Sequence, residues 1–311
     1  MDIAITGSSG TIGTALVEAI EARGDRVVRV VRSSPGPDEI GWSPADGTID
    51  AAGFEGLDAV VHLAGAGIGA KRWTEEYKQV IRDSRVDGTA LLAHTLAGLQ
   101  DPPKVLVSQS AIGYYGDRGE EVLTEESPPG DGFFPDVVVA WEAAADPARE
   151  AGLRVVHPRT GQVLSPVDDY GLTNIFFGEG SLQRLVPLAR LGLAGRFGDG
   201  QQWWSWISLP DQVAATLFAV DTEGLEGPVN VVAPEPTRND EFVQTLAEVL
   251  GKGTFLPIPA FGPKLVVGSE LAETLVFESQ RVTPPKLVAA GYEFLHPDLE
   301  TALRAVLNRP A

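Results

Sequence analysis

The chain of 311 residues contains no cysteine, which excludes disulfide bonds and thiolate metal sites. It has four histidines, and they are scattered without the spacing that metal ligands need. Lysine is scarce, and none occurs between Lys104 and Lys252. The middle of the chain therefore cannot supply a lysine to a reaction.

Positive charge is also in short supply. There are 24 basic residues against 43 acidic ones, and the formal net charge is -19. This charge repels the phosphates of nucleic acids and anionic membranes, so we expect neither as a partner. No apolar run approaches the length of a membrane span, and the first predicted strand leaves no room for a signal peptide. These features predict a cytoplasmic protein.

The first half of the chain alternates short apolar strands with helical patterns. Strands are predicted at residues 2–6, 26–32, 58–67, 104–110 and 153–161. Helices are predicted after the first glycine loop, at residues 73–99 and at residues 136–150. This order indicates an α/β protein with a Rossmann-type, doubly wound parallel sheet that helices cover on both faces. In such a sheet, ligands bind beyond the carboxyl ends of the strands.

A glycine loop, "GSSGTIG", joins the first strand to the first helix. Gly7 permits the tight turn, Gly10 lets the backbone approach a pyrophosphate, and Gly13 allows close packing of the helix. The helix N-terminus offers free N–H groups to phosphates. The alternative is a glycine loop that has no ligand. The predicted cofactor contacts here are Gly7, Ser9, Gly10, Thr11, Ile12 and Gly13.

Arg32 ends the second strand and indicates which dinucleotide the loop would hold. A free ribose 2′-hydroxyl is usually met at this position by Asp or Glu. Here an arginine is followed by two serines, with no acid until Asp38. This donor set suits a 2′-phosphate and predicts NADP rather than NAD. The alternative is a solvated surface arginine.

Several motifs resemble the short-chain dehydrogenase/reductase superfamily, extended type, of which "TGSSGTIG" and "HLAG" are marks. The stretches "HLAGAGIGAKRW", "SRVDGT", "GYYGDRGE", "RTGQVL" and "RLGLAGRFGDGQQWWSWI" are similar to an atypical epimerase-family subgroup. That subgroup is sugar-nucleotide-epimerase-like and carries a C-terminal domain of unknown function. The resemblance covers essentially the whole chain. The further cofactor contacts that it implies are Leu63, Ala64, Gly65, Arg85 and Val163.

The resemblance also implies a division into two domains. Residues 1–165 would form the NADP-binding Rossmann domain, to which residues 207–234 return. Residues 166–206 and 235–311 would form a small, mostly helical substrate or cap domain. Trp203, Trp204 and Trp206 lie where the chain crosses back. They would either line a substrate pocket or join the two domains.

The sequence departs from the extended reductases at the proton relay. Those enzymes place Ser or Thr before "A-x-x-Y-G" and a Tyr-x-x-x-Lys about 25 residues later. Ser110 matches the first element, whereas Phe134 and Val138 stand at the tyrosine and lysine positions. Neither of these two side chains can transfer a proton. The cofactor site is therefore predicted to be intact and the usual relay to be absent.

Ser110, Tyr114 and Tyr115 are the candidate catalytic residues, because they follow a strand at the edge where a nicotinamide would lie. Arg118, four residues after Tyr114, is a possible cation partner. The alternatives are that the tyrosines pack or stack on a substrate and that Ser110 only ends its strand. Glu142 either faces the cleft or is a solvated acid beside a core tryptophan.

The sequence thus predicts an NADP(H)-binding atypical reductase or epimerase-like enzyme that acts on an unknown small molecule. We expect a monomer or a homodimer. The alternative is a catalytically weak or inert protein of the same fold, which would bind NADP(H) as a redox sensor or serve as a scaffold. Fold by itself does not decide between them.

Overall fold

The structure, a computed structural model, describes residues 1–167, 181–254 and 257–309. The strands, in chain order, are β1 (Asp2–Thr6), β2 (Arg26–Val31), β3 (Glu39–Ser43), β4 (Thr48–Ile49), β5 (Ala59–His62), β6 (Val105–Ser108), β7 (Ser110–Ala111), β8 (Val122–Leu123), β9 (Arg154–Thr160), β10 (Gln162–Leu164), β11 (Trp203–Trp204), β12 (Trp206–Ser208), β13 (Gly227–Val231), β14 (Thr237–Arg238) and β15 (Arg281–Val282).

The α-helices are α1 (Thr11–Ala22), α2 (Glu75–Ala97), α3 (Phe133–Ala143), α4 (Asp146–Glu150), α5 (Ser181–Arg190), α6 (Leu209–Asp221), α7 (Asn239–Val249), α8 (Phe261–Val267), α9 (Ser269–Ala272), α10 (Pro285–Ala289) and α11 (Leu299–Val306). Short 3-10 helices lie at Pro44–Asp46, Ala51–Phe54 and Ile112–Tyr115, and a π-helix lies at Glu273–Phe277.

The main sheet has the strand order β13-β9-β6-β5-β1-β2-β3-β4, with β7 beside the end of β9. Every neighbouring pair from β13 to β3 is parallel, and only β4 runs antiparallel to its neighbour. The chain builds outward from β1 in one direction and from β5 in the other. The switch point therefore lies between β1 and β5, where such sheets bind ligands. This order confirms the predicted Rossmann-type doubly wound sheet.

Helices pack against both faces of the sheet and bury its apolar side chains. Along β1, Ile3 and Ile5 belong to one core cluster and Ala4 to the other, as the alternation of a strand requires. The first cluster includes Leu16 of α1, and the second includes Leu92 of α2. Because both faces are covered, the strands read as continuous apolar runs. Only the carboxyl edge is left for polar side chains with chemical roles.

A second core lies beyond the sheet and is mostly helical. It joins α5, α7 and α11 around Trp204 and Trp206, which are both buried. The ring centroid of Trp204 lies 5.2 Å from that of Phe242 in an edge-to-face contact. Trp203 is only half-buried, and the guanidinium groups of Arg238 and Arg281 lie over its ring. Two of the three tryptophans are therefore core residues.

The prediction of one continuous helix at residues 136–150 is wrong. The structure has two helices, α3 and α4, with a break after Ala143. Pro147 lies in the first turn of α4. A proline in the interior of a helix removes one hydrogen bond and clashes with a carbonyl of the preceding turn. The first helix therefore ends, and α4 begins at Asp146 with Pro147 in its first turn.

Helix α2 matches the prediction of a long helix after Trp73. The side chain of Thr74 caps its N-terminus by accepting a hydrogen bond from the Tyr77 N–H, and Gly98 follows its last turn. The helix carries charged residues along its length. Among the residues that the structure describes, no helix is long and apolar enough to cross a membrane.

Candidate functional site

The glycine loop is built by close backbone contacts. Gly7 has a φ of 68°, and a Cβ at this position would lie 2.9 Å from the amide nitrogen of Ala64. A Cβ at Gly13 would collide with the carbonyl oxygen of Gly7. At Gly10, by contrast, the nearest atom to an added Cβ is 3.5 Å away. The fold thus requires glycine at positions 7 and 13, whereas Gly10 leaves the outer surface of the loop clear.

The N-terminus of α1 opens directly onto this loop. Gly10 is the N-cap residue, so no side chain caps the helix, and no acidic residue lies in the first turn. The first backbone N–H groups of a helix, here those of Thr11, Ile12 and Gly13, have no intrahelical acceptor. Ser9 is exposed on the same loop. Free amides and the positive end of the helix dipole fit a phosphate group.

A buried hydrogen-bond chain fixes the neighbouring loop at the end of β5. Thr6 Oγ1 accepts the N–H groups of Leu63 and Ala64 at 3.1 Å each, so its own proton goes to His62 Nδ1 at 2.7 Å. His62 Nε2 then donates to Thr89 Oγ1 at 3.1 Å. Burial lowers the pKa of His62 to about 4, so the ring is neutral. His62 is therefore a core histidine whose two ring nitrogens are both hydrogen-bonded.

Arg85 lies directly beneath this loop. Its side chain is buried and donates to the carbonyls of Ala66 at 3.0 Å and Ile81 at 3.1 Å. The Nε atom is buried without a hydrogen-bond partner, and burial lowers the pKa of Arg85 to about 10. A Cβ at Gly65 would lie 3.4 Å from the Arg85 Cζ. A guanidinium beside the loop at the end of β5 fits an anionic or hydroxyl-bearing ligand.

The remaining two cofactor candidates lie on either side of this centre. Arg32 follows β2, is exposed, and has no ion pair or hydrogen bond among the described residues. Val163 lies on β10 and pairs in parallel register with Ile207 of β12. The structure thus gathers the glycine loop, residues 63–65 and Arg85 around the ends of β1 and β5. Arg32 lies at the end of the adjacent strand, and Val163 lies at the other end of the edge, after β9.

Ser110 is a member of a buried polar cluster. Its side chain is 2% exposed, and its Oγ donates to Glu142 Oε1 at 2.6 Å. Glu142 in turn accepts from Arg159 Nε at 2.8 Å and from Nη2 at 2.7 Å. The single proton of Ser110 is therefore directed at a carboxylate. In this arrangement the Ser110 oxygen offers lone pairs and no free proton.

The Glu142–Arg159 pair is ionised. Burial by itself would raise the pKa of Glu142, but the bonds and charge of Arg159 hold it below its usual value. Burial by itself would lower the pKa of Arg159, but Glu142 raises it above its usual value. Two fork-like bonds orient the guanidinium as well as neutralise it. Glu142 is therefore neither a solvated acid nor a free carboxylate in the cleft.

Tyr115 belongs to the same cluster and is fully buried. Its hydroxyl donates to Asn230 Oδ1 at 2.7 Å and accepts from Arg159 Nη1 at 3.1 Å. Burial raises the pKa of Tyr115 to about 12. Asn230 is held in this orientation because its Nδ2 donates to the Thr283 carbonyl at 2.9 Å. The proton of Tyr115 is thus committed to a buried acceptor.

Tyr114 differs from the other candidates. The Arg159 Cζ lies 3.4 Å from the centroid of the Tyr114 ring, and the Tyr114 hydroxyl has no hydrogen-bond partner among the described residues. Arg118 does not pair with Tyr114. Arg118 instead bonds Glu121 and the Pro128 carbonyl, because a spacing of four fixes no geometry in a loop.

The positions of the missing relay lie on one face of α3. Phe134, Val138 and Glu142 are four residues apart, which places them along the same side of the helix. Phe134 and Val138 are buried. Arg159 was not among the predicted site residues, although it lies at the carboxyl end of the strand predicted at residues 153–161, where ligands were expected.

Two family profiles match adjacent parts of the chain. Residues 3–233 match the family described as NAD dependent epimerase/dehydratase. Residues 258–306 match a domain of unknown function, DUF1731. The first match covers the whole main sheet, and the second covers α8 to α11.

Several relatives span the full length of the chain. An epimerase family protein of Mycobacterium bovis, Mb2239, is 38% identical over 309 residues, which cover 99% of this chain and 98% of the relative. The crystal structure of the human epimerase family protein SDR39U1 with NADPH is similar at a TM-score of 0.85 and 34% identity, over 99% of both chains. A nucleoside-diphosphate sugar epimerase of Corynebacterium glutamicum matches at a TM-score of 0.76 and 33% identity, over 99% of this chain and 58% of that one.

Proposed function

Because the chain belongs to the NAD dependent epimerase/dehydratase family, within the extended short-chain dehydrogenases/reductases, we propose that it is an NADP(H)-binding enzyme. It would act as an atypical reductase or epimerase-like enzyme on a small molecule. Residues 1–165 and 207–234 would hold the cofactor, and residues 166–206 and 235–311 would cap the substrate. The human relative was crystallised with NADPH, which supports this choice of cofactor.

The cofactor would be held by groups that the fold leaves unsatisfied. The free amides at the start of α1 would meet the pyrophosphate, with Gly10 leaving room for its approach. Arg32 would pair with the 2′-phosphate, and the guanidinium of Arg85 would bond a phosphate or ribose oxygen. Leu63, Ala64, Gly65 and Val163 would line the remainder of the site. When bound, the cofactor would supply or accept a hydride.

The proton would be carried by Tyr114. Ser110 and Tyr115, the other two candidates, both direct their protons at buried acceptors. The one observation that carries this assignment is that Tyr114, whose hydroxyl has no partner among the described residues, has its ring against a fixed guanidinium. Arg159 would stand in for the absent lysine as the cation beside the phenol. Ser110 would serve as an acceptor for a substrate hydroxyl rather than as a donor to a carbonyl.

The alternative is a protein that binds NADP(H) and turns over slowly or not at all, as a redox sensor or scaffold. Phe134 and Val138 favour this reading, because they place buried apolar groups where the relay of an extended reductase would be. The two readings share the cofactor site and differ only in what happens after the cofactor binds.

Two measurements in series separate these possibilities. Isothermal titration calorimetry with NADPH and NADH tests the cofactor site, and we expect NADPH to bind more tightly. Absorbance of bound NADPH is then followed over a panel of carbonyl compounds and sugar nucleotides. Oxidation by one class supports the enzyme. Binding of NADPH without any oxidation supports the sensor or scaffold, and absence of NADPH binding overturns both.

A further inference from the structure

The loop that carries Tyr114 and Tyr115 is held from outside by the C-terminal part of the chain. We call residues 112–125 the tyrosine loop and residues 279–283 the brace. Strand β15 of the brace pairs in parallel with β8 of the tyrosine loop, and the Thr283 N–H extends the ladder to the Leu123 carbonyl at 3.0 Å. The brace lies within the segment that matches a domain of unknown function.

Ser279 makes the tightest set of contacts between the two segments. Its N–H donates to Asp117 Oδ1 at 3.1 Å, and its Oγ donates to the Gly119 carbonyl at 2.7 Å. Its own carbonyl accepts the Arg118 N–H at 3.0 Å. Three consecutive residues of the tyrosine loop are thus bonded to one buried serine.

The brace also packs beneath Tyr115. Val282 is fully buried in a small apolar cluster with Ile112, Tyr115 and Leu123, against which Tyr114 packs. The Thr283 carbonyl accepts from Asn230, which accepts the Tyr115 proton. Tyr115 accepts from Arg159, and Arg159 lies under Tyr114. A continuous chain of contacts therefore runs from the brace to the proposed proton donor.

On its other side the brace is anchored to the second half of the chain. Ser205 Oγ donates to the Gln280 carbonyl at 2.7 Å and accepts the Val282 N–H at 2.9 Å. The Gln280 N–H donates to the Trp203 carbonyl at 3.0 Å. Both edges of the brace are therefore occupied: one by the tyrosine loop and the other by residues 203–205.

We propose that the C-terminal segment is a positioning element, whose brace sets the geometry of Tyr114 and Tyr115 over Arg159. This role rests on the proposed function, because it concerns the loop that would carry the proton. Without the brace, the tyrosine loop would keep its connection to β7 but lose its outer hydrogen bonds and the apolar floor under Tyr115. The cofactor contacts around β1 and β5 do not involve the brace and would be retained.

Matched substitutions in the full-length chain test the proposal without a substrate. Val282→Ala removes two methyl groups under Tyr115, and Val243→Ala removes the same groups from the second core. Ser279→Ala removes the bonds of its Oγ to the Gly119 carbonyl and the Trp203 N–H, and Thr245→Ala removes an exposed bond elsewhere. The readout is amide hydrogen exchange of peptides that cover the tyrosine loop.

Loss of one or two hydrogen bonds at about 1 kcal/mol each predicts roughly tenfold faster exchange of the tyrosine loop in Ser279→Ala. Val282→Ala should give a similar local increase, and the two controls should not. A second readout is the tyrosinate absorbance of Tyr115, assigned by subtracting Tyr115→Phe in each background. Tyr115, whose pKa burial raises to about 12, should ionise at lower pH in Val282→Ala and not in Val243→Ala.

The outcomes are separable from those of the proposed function. NADPH affinity is measured in every variant, and we expect it to stay within about twofold of wild type because the brace makes no cofactor contact. If the wild type did not bind NADPH, the proposed function would be overturned. The hydrogen exchange of the tyrosine loop would still test whether the brace holds it. The proposed role of the brace would be overturned if hydrogen exchange of the tyrosine loop were unchanged in Ser279→Ala and Val282→Ala. It would also be overturned if Val243→Ala increased this exchange equally.

Discussion

The guanidinium of Arg159 lies against the ring of Tyr114, and its Cζ is 3.4 Å from the ring centre. The cation comes from the end of β9, and Glu142 on α3 holds it in place with two bonds. The Tyr-x-x-x-Lys of the extended reductases would supply both the phenol and the cation from one sequence motif. Here the helix contributes an acid, the strand contributes the cation, and a loop contributes the phenol.

Tyr114→Phe should lower turnover by at least about tenfold once a substrate is known, since general acid catalysis supplies about 10²–10⁴-fold. Calorimetric NADPH affinity should be unchanged. Ser110→Ala and Tyr115→Phe serve as comparisons, and we expect smaller losses because their protons are already committed. Full turnover in Tyr114→Phe would assign the proton to the substrate or to water.

Glu142→Gln and Arg159→Met should each lower the free energy of unfolding by about 3–5 kcal/mol, because each leaves an unpaired group in a buried site. The double variant should lose less than the sum of the two. Urea denaturation of the four proteins measures the coupling. Additive losses would mean that the pair contributes nothing as a pair.

Arg32→Ala should weaken NADPH binding by roughly tenfold to a hundredfold, the equivalent of about 1.5–3 kcal/mol for a charge-assisted bond. NADH binding should barely change. Arg29→Ala, which removes an exposed arginine from the same strand, is the control. Calorimetry with both cofactors decides the matter, and equal losses for NADPH and NADH would remove Arg32 from the site.

Gly10→Val should leave a folded protein that no longer binds NADPH. The space around Gly10 is open in the structure, so the side chain fits but projects where a pyrophosphate must approach. Gly13→Ala should instead destabilise the fold, because its Cβ meets the Gly7 carbonyl. Thermal unfolding and calorimetry distinguish the two. Normal NADPH binding by Gly10→Val would place the phosphate site elsewhere.

Stability should fall as the pH drops below about 6.5. Burial lowers the pKa of both His62 and His157 from 6.5 to about 4, so the unfolded chain takes up their protons first. Each histidine would cost about 3 kcal/mol of stability by pH 4. His62→Gln should remove about half of this dependence.

The burial of Glu278 acts in the opposite direction over the same range. Burial raises its pKa to about 7, so the folded state holds a proton that the unfolded state has released, and stability rises as the pH falls. The histidine contribution is therefore read from the difference between wild type and His62→Gln in urea titrations at several pH values. An identical pH profile for these two proteins would contradict the assignment.

The alternation of strands and helices along the chain was predictable because local patterns encode it. Through the first 160 residues, apolar runs and helix stops alternate, and each of these patterns depends only on neighbours in sequence. The break between α3 and α4 shows where such patterns fail. The sequence pattern predicts one continuous helix, but Pro147 lies in the first turn of a new one. Strands β8 and β15, two residues each, carry no pattern of their own and exist only because they meet.

The candidate site was predictable in its backbone and not in its side-chain partners. Glycines at positions 7 and 13 are demanded by the turn itself, so the sequence records them directly. The link between Arg159 and Glu142 depends on how far α3 lies from β9, which no spacing in the sequence reports. The sequence predicted Ser110, Tyr114 and Tyr115 near the carboxyl edge of the sheet, but only packing decides which proton is free.

The pairing of β8 with β15 also bears on how the protein is made. The bond partners Leu123 and Thr283 are 160 residues apart in the chain. During synthesis, amino-terminal parts fold first, and contacts between distant residues form late. A ribosome will therefore have released almost the entire chain before the tyrosine loop acquires its last neighbours. We therefore expect the main sheet of the nascent protein to form before the brace meets the tyrosine loop.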